Sequence, residues 1–124
     1  YRPLDALLQE SDFVTLNCPL TAETRNLIST RELGIMKETS ILVNVARGGV
    51  VDHEALLTAL QTHQIGGAAV DVTEPEPLPR DHPLLQRDNL IIAPHLGSAT
   101  RQLGAALTTI LYLLALRHLE GRKK

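Results

Sequence analysis

The stretch S-I-L-V-N-V-A-R-G-G-V-V-D at residues 40–52 decides the fold. It begins with a continuous apolar run, which is typical of a parallel strand that is buried on both faces. Arg47 and two glycines follow the run directly, and Asp52 then stands where its side chain can cap a helix with a leucine stripe. The stretch therefore predicts a strand, a turn that carries an arginine, and a helix.

The same alternation of strands and helices continues on both sides of this stretch. Apolar runs predict strands at residues 13–16, 40–45, 68–70 and 90–93. Leucine spacing and capping signals predict helices that begin at Pro3, at Ser29 (through Met36) and at Asp52, and a last helix from about Ala99 to Leu119. Continuous rather than alternating apolar strands favour an α/β fold with a doubly wound parallel sheet and helices on both faces.

Length and composition restrict the class of protein. The 124 residues predict one domain, and 44% hydrophobic with 21% charged residues is ordinary for a globular protein. A net charge of −2 gives no reason to expect a nucleic acid or a membrane surface as a partner. The longest apolar stretch, at residues 110–116, is too short to span a bilayer.

Cys18 is the only cysteine, so the chain has no internal disulfide and a reducing, cytoplasmic location is expected. Cys18 ends an apolar run, which favours a buried, inert thiol over a reactive one. A zinc site is not expected, because Cys18 has no second cysteine and the pairs His53/His63 and His82/His95 lack the spacing of metal ligands.

Three polar residues follow predicted strands: Arg47, Glu76 and His95. In parallel sheets, ligands bind beyond the carboxyl ends of the strands, so we expect the three to share one edge. Arginine can hold a carboxylate through two parallel hydrogen bonds, a fixed acid can orient an imidazole, and histidine can give a proton to a carbonyl. Gly48 and Gly49 let backbone come close to a ligand and permit unusual φ values.

Each of these residues also has an ordinary structural interpretation. Arg47 could be a surface arginine beside a Gly-Gly turn, and His95 could be a surface histidine. The segment D-V-T-E-P-E-P at residues 71–77 could be a solvated acidic turn. Three complementary groups on one sheet edge favour a site over coincidence. They suit the binding of a carboxylate and the protonation of an adjacent carbonyl.

N-V-A-R-G-G-V-V-D, then D-V-x-x-x-E-P, then P-H-L-G resembles the D-isomer-specific 2-hydroxyacid dehydrogenases. The likeness covers nearly the whole chain. Within that family, D-V-T-E-P-E-P-L-P-x-x-H-P-L-L followed by H-L-G-S-A-T is most similar to the glyoxylate/hydroxypyruvate reductase branch.

The resemblance implies a role for each matching residue. Arg47 would bind the substrate carboxylate and keto oxygen, and Glu76 would pair with His95, the general acid and base. Arg47 and His95 also match the family's dinucleotide site, together with Cys18, Pro19, Val45, Ala46, Asp71, Gly97 and Ser98. Asp71 would lie near the nicotinamide, with Gly97 and Ser98 making backbone contacts beside it. The implied cofactor is NADP or NAD, the implied substrate a small 2-keto or 2-hydroxy acid, and the implied assembly a homodimer without metal.

The chain departs from the family by lacking the G-x-G-x-x-G turn that receives the cofactor pyrophosphate. Residues 1–124 are therefore interpreted as the C-terminal part of a Rossmann dinucleotide-binding domain, with residues 99–120 as the helix that leads back toward an absent substrate domain. This chain alone is expected to be inactive. An alternative is a dinucleotide-sensing scaffold of the co-repressor type, whose relatives keep the same three residues. In those relatives the segment after the histidine resembles an aromatic A-W-Y run. This chain has L-G-S-A there, at residues 96–99, which favours the enzyme.

Overall fold

The computed structural model describes residues 1–97, which alternate between helices and strands. The elements in chain order are α1 (Leu4–Glu10), β1 (Phe13–Leu16), α2 (Thr30–Ile35), β2 (Ile41–Asn44), α3 (His53–Gln61), β3 (Gly67–Val70) and β4 (Leu90–Ile92). Two short 3-10 helices, Gly48–Val50 and Pro83–Gln86, lie in the connections after β2 and after β3. The predicted α/β fold and all four predicted strands are confirmed, and the predicted helix at 99–119 lies outside the described residues.

The four strands form one parallel sheet in the order β1-β2-β3-β4. Leu42 of β2 lies between Val14 of β1 and Ala68 of β3, and Ala68 in turn pairs with Leu90 of β4. Helices α2 and α3 join the first three strands, whereas a 3-10 helix lies between β3 and β4. Because all strands run the same way, their carboxyl ends meet at one edge of the sheet.

The central strands β2 and β3 are buried along their whole length, which explains their continuous apolar sequence. On one face, Leu42 belongs to a large cluster with Leu8 of α1, Leu33 of α2 and Leu56 of α3. On the other face, the cluster is formed by the strands and the residues next to them (Ile41, Val43 and Ala69, packed against Phe13, Val45, Ile91 and Ala93). The expectation that helices cover both faces is thus confirmed for one face in this part of the chain.

The helix starts predicted at Ser29 and at Asp52 are present with their caps, and α1 begins at Leu4, directly after Pro3, without a side-chain cap. Ser29 and Glu32 form a reciprocal capping box at α2. The Asp52 side chain accepts hydrogen bonds from the backbone N–H groups of Glu54 and Ala55 at 3.1 Å each, and it also accepts one from the Ser29 hydroxyl at 3.0 Å. The starts of α2 and α3 are therefore joined through Asp52.

The Gly48-Gly49 turn packs against the chain itself. A Cβ atom placed on Gly48 would lie 2.2 Å from the carbonyl oxygen of Thr73, so the glycine allows two backbones to touch. Among residues 1–97 no glycine has a positive φ. Gly48 and Gly49 therefore make no use of a positive φ, and at Gly48 the missing side chain makes room for the Thr73 backbone.

Within residues 1–97, none of the helices has both the length and the apolar character that crossing a membrane requires.

Candidate functional site

The edge formed by the carboxyl ends of the strands carries all three predicted catalytic residues. Arg47 follows β2, Glu76 lies in the loop after β3, and His95 follows β4. The order of the strands therefore places these residues on neighbouring loops, as the sequence predicts.

Glu76 and His95 are in direct contact. Glu76 Oε1 lies 2.6 Å from His95 Nδ1, and both side chains remain partly exposed, at 41% and 34%. A proton on Nδ1 is donated to the carboxylate, which fixes the tautomer and the orientation of the ring. Nε2 is then the ring atom that can exchange a proton with a ligand.

The backbone at His95 is held by Asp71. Asp71 directly follows β3 and is 2% exposed. Its Oδ1 accepts a hydrogen bond from Leu96 N–H at 2.9 Å, and its Oδ2 accepts one from Gly97 N–H at 2.7 Å. His95 itself has a φ of 54°, in the left-handed region that residues with a Cβ seldom adopt.

Arg47 is placed by Asn44, which sequence reasoning missed. Asn44 is fully buried at the end of β2, where its Oδ1 accepts from Ala46 N–H at 3.0 Å and its Nδ2 donates to the Arg47 carbonyl at 3.0 Å. The exposed Arg47 guanidinium donates to the Ala46 carbonyl at 2.7 Å. The available signal was a lone polar residue inside an apolar strand, because a buried amide needs partners.

The loops after β1, β2 and β3 are also joined to one another. Asn26 N–H donates to the Gly49 carbonyl at 2.8 Å, and Ile28 N–H donates to the Val50 carbonyl at 3.1 Å. The Arg25 guanidinium lies 3.1 Å from Glu74 Oε2, although both side chains are about half exposed and such a pair stabilises weakly. The backbone bonds are therefore the main link that fixes the Arg47 turn.

A cavity of about 590 Å³, here called the β1–β2 cavity, opens where the first two strands end. It is lined by Asn17, Cys18, Pro19, Leu20, Val45, Ala46 and Arg47. The structure thus brings together Cys18, Pro19, Val45 and Ala46, which were predicted to line the dinucleotide groove. The lining combines apolar side chains with the Asn17 amide and the Arg47 guanidinium, a mixture that suits a nicotinamide ring and an adjacent carboxylate.

A second cavity of about 630 Å³, the β3–β4 cavity, contains the acid and the histidine. It is lined by Asp71, Thr73, Glu76, Pro77, Leu78, Leu85, Ile92, Ala93, Pro94 and His95. The predicted residue Gly97 contacts Asp71 through its backbone, and Ser98 lies outside the described residues. The structure therefore pairs Glu76 with His95, whereas Arg47 lines the other cavity, between β1 and β2.

His53, at the start of α3 and outside the linings of both cavities, has a perturbed pKa. Burial, and secondarily the proximity of His82, lower the pKa of His53 below its usual value of 6.5. Its Nε2 atom is buried without a hydrogen-bond partner.

In the part of the chain that the structure describes, no group of three or more potential ligand residues could hold a metal ion.

Comparison with known proteins gives one family. Residues 1–97 match the model of the D-isomer specific 2-hydroxyacid dehydrogenase NAD binding domain. The chain is 52% identical over 102 residues to a glyoxylate reductase of Korarchaeum cryptofilum, an alignment that covers 82% of this chain and 31% of that protein. It is 50% identical over 102 residues to a glyoxylate/hydroxypyruvate reductase B of Salmonella paratyphi B, which covers 82% of this chain and 32% of that protein.

A solved structure shows the same architecture. The chain superimposes with a TM-score of 0.73 and 43% identity on a D-isomer specific 2-hydroxyacid dehydrogenase from Xanthobacter autotrophicus Py2, crystallised in complex with NADPH and MES. That match covers 75% of this chain and 38% of the other. The chain therefore spans about a third of the length of these relatives.

Proposed function

The chain belongs to the D-isomer specific 2-hydroxyacid dehydrogenase family, as part of its NAD-binding domain, and on that premise we propose that the whole protein reduces a small 2-keto acid with NADH or NADPH. The product is the D-2-hydroxy acid, and the substrate is of the glyoxylate or hydroxypyruvate type. The observation that carries this proposal is the 2.6 Å contact between Glu76 and His95 at the carboxyl edge of the sheet.

In this proposal each of the three residues has one task. Arg47 binds the substrate carboxylate and keto oxygen through its guanidinium. His95 gives a proton from Nε2 to the keto oxygen during reduction and takes it back in the reverse reaction. Glu76 holds His95 Nδ1, so the ring keeps one tautomer. The nicotinamide cofactor supplies the hydride when it is bound.

The cofactor is proposed to bind along the same edge. Its nicotinamide end would lie against Cys18, Pro19, Val45 and Ala46, which form the apolar wall of the β1–β2 cavity. Asp71, Gly97 and Ser98 are proposed to lie beside the nicotinamide, as the resemblance implies.

We further propose that these 124 residues have no appreciable turnover by themselves. They carry no G-x-G-x-x-G sequence, and the relatives are about three times as long. We propose that the whole protein is a homodimer, as the resemblance implies. A cytoplasmic location is proposed because this chain has a single cysteine. Sedimentation of the whole protein tests the dimer.

The test is oxidation of NADH and of NADPH by the whole protein with glyoxylate and with hydroxypyruvate, followed by the absorbance of the reduced nicotinamide. We expect turnover with at least one pair. A folded protein that binds the dinucleotide but oxidises it with no short 2-keto acid would contradict the proposal and would instead suit the dinucleotide-sensing scaffold.

Arg47→Lys tests the proposed anchor in the same assay. Lysine keeps the charge but cannot form two parallel hydrogen bonds, so we expect kcat/KM to fall roughly tenfold or more. Arg80→Lys is the matched control, because Arg80 is exposed and lines neither cavity. Equal kinetics of the Arg47→Lys variant and the wild type would remove Arg47 from the site.

A further inference from the structure

We propose that Asp71 is a positioning residue, which fixes His95 by binding the backbone of the loop that follows β4. For its catalytic consequence this inference rests on the proposed function, in which His95 exchanges a proton with the substrate. The structural part, a carboxylate that holds a loop, stands on the geometry alone.

The Asp71 carboxylate is built into the sheet. Asp71 N–H donates to the Asn44 carbonyl at 2.9 Å, so its backbone extends the pairing of β3 with β2. On the other side, Ala93 N–H donates to the Val70 carbonyl at 2.8 Å. Because Asp71 is only 2% exposed, its carboxylate has little freedom to move.

Both carboxylate oxygens bind the loop. Oδ1 accepts from Leu96 N–H at 2.9 Å and Oδ2 accepts from Gly97 N–H at 2.7 Å, which gives two charge-assisted bonds to consecutive amides. A Cβ on Gly97 would lie 2.7 Å from Oδ2. Glycine at this position is therefore what lets the loop come close enough to be held.

The loop needs such support because of the conformation at His95. A φ of 54° is uncommon for a residue with a side chain, and it persists only where the surroundings fix it. The two bonds act on the two residues directly after His95. They oppose relaxation of the backbone to an ordinary φ, which would swing the imidazole away from its present place.

The segment after β3 therefore holds His95 at two points. Asp71 fixes the backbone that follows His95, and Glu76, five residues later in the same segment, holds ring atom Nδ1 at 2.6 Å. Sequence reasoning assigned to Asp71 only a place near the nicotinamide. That prediction is compatible with the present role, since a carboxylate can accept about four hydrogen bonds and the two amides use one site on each oxygen.

Asp71→Asn is the direct test in the whole protein, because it keeps the shape but sets an N–H group against one of the loop amides. We expect hydrogen exchange at Leu96 and Gly97 to accelerate about tenfold or more, while the amides of β2 keep their protection. Asp81→Asn is the control, since it makes the same charge change at an exposed residue that lines neither cavity. Two results would overturn the inference. One is an unchanged exchange rate at Leu96 and Gly97, and the other is an increase there that the amides of β2 share.

Kinetics separate a positioning role from a cofactor contact. With Asp71→Asn we expect kcat to fall about a hundredfold, as a displaced catalytic group can cause, and this loss to be larger than any change in the cofactor Kd, since Asp71 is also proposed to lie beside the nicotinamide. A weaker cofactor Kd with an unchanged kcat would mean that Asp71 acts on the cofactor and not through His95. If the whole protein shows no activity with any 2-keto acid, the proposed function fails, yet the exchange experiment still decides whether Asp71 holds the loop.

Gly97→Ala provides a second variant if Asp71→Asn does not fold. The added Cβ pushes the loop from the carboxylate while Asp71 and its charge stay in place. We expect the same acceleration of exchange at Leu96. Full protection of Leu96 in a folded Gly97→Ala variant would contradict the inference.

Discussion

At the scale of single residues, the site depends on close backbone approaches as much as on charged side chains. Gly48 touches the backbone of Thr73, and Gly97 touches the Asp71 carboxylate. The loops that carry Arg47, Glu76 and His95 can lie side by side because these two positions have no Cβ.

Gly48→Ala tests this at the turn after β2. Its Cβ would lie 2.2 Å from a backbone oxygen that cannot move alone, so we expect the free energy of unfolding to fall by roughly 1–3 kcal/mol, the usual cost of overpacking. Denaturant unfolding of the chain measures it.

Gly34→Ala is the matched control in helix α2. There the added Cβ meets only the flexible end of the Gln64 side chain, at 3.2 Å, and alanine favours a helix by roughly 0.5–1 kcal/mol over glycine. We expect little loss or a small gain. A Gly48→Ala variant as stable as Gly34→Ala would show that the two backbones do not need to touch.

At the scale of elements, the start of α3 is joined to the start of α2. Asp52 caps the helix and accepts a hydrogen bond from Ser29, while His53 begins it. Burial lowers the pKa of His53, and so does the charge of His82; the acids Glu74, Asp52 and Glu54 act in the opposite direction but are outweighed.

This lowered pKa predicts a loss of stability in mild acid. Well above pH 6.5, the usual pKa of histidine, His53 is neutral in both the folded and the unfolded chain. Its titration then takes nothing from the free energy of unfolding. As the pH falls through 6.5 toward the lower folded pKa, the unfolded chain takes up the proton first and is favoured. We expect the wild type to lose more unfolding free energy than His53→Gln between about pH 7.5 and about pH 5.5.

The control for this measurement is His63→Asn. His63 is exposed and has a φ of 54°, which asparagine tolerates. We expect the free energy of unfolding of His63→Asn to change with pH as it does in the wild type. Identical slopes for His53→Gln and the wild type would mean that His53 is not responsible.

At the scale of the whole molecule, patterns over short distances along the chain were predictable from the residues alone, whereas a contact between distant residues was predicted only where the resemblance implied it. The strands, the capping box at Ser29 and the cap at Asp52 follow from local spacing. The pairing of Glu76 with His95 followed from the resemblance, and the sheet edge supports it, since strand ends of a parallel sheet converge.

The sequence did not show which atoms of distant residues meet across the sheet. The bonds from Asp71 join residues that are 25 and 26 positions apart, and the contact of Gly48 with Thr73 spans a helix and a strand. Local patterns do not encode such contacts. Asn44 is a different case, because its bonds reach only two and three positions along the chain, and a polar residue in an apolar strand was the local signal for them.

In the proposed function, His95 is held by Glu76 and performs the proton transfer of a 2-keto acid reductase. The most direct measurement is kcat of His95→Asn in the whole protein, with the cofactor Kd measured beside it. We predict that kcat falls by roughly 10²–10⁴-fold, the usual contribution of a general acid, while the cofactor Kd changes little. A His95→Asn protein that keeps kcat within about threefold of the wild type would contradict the account.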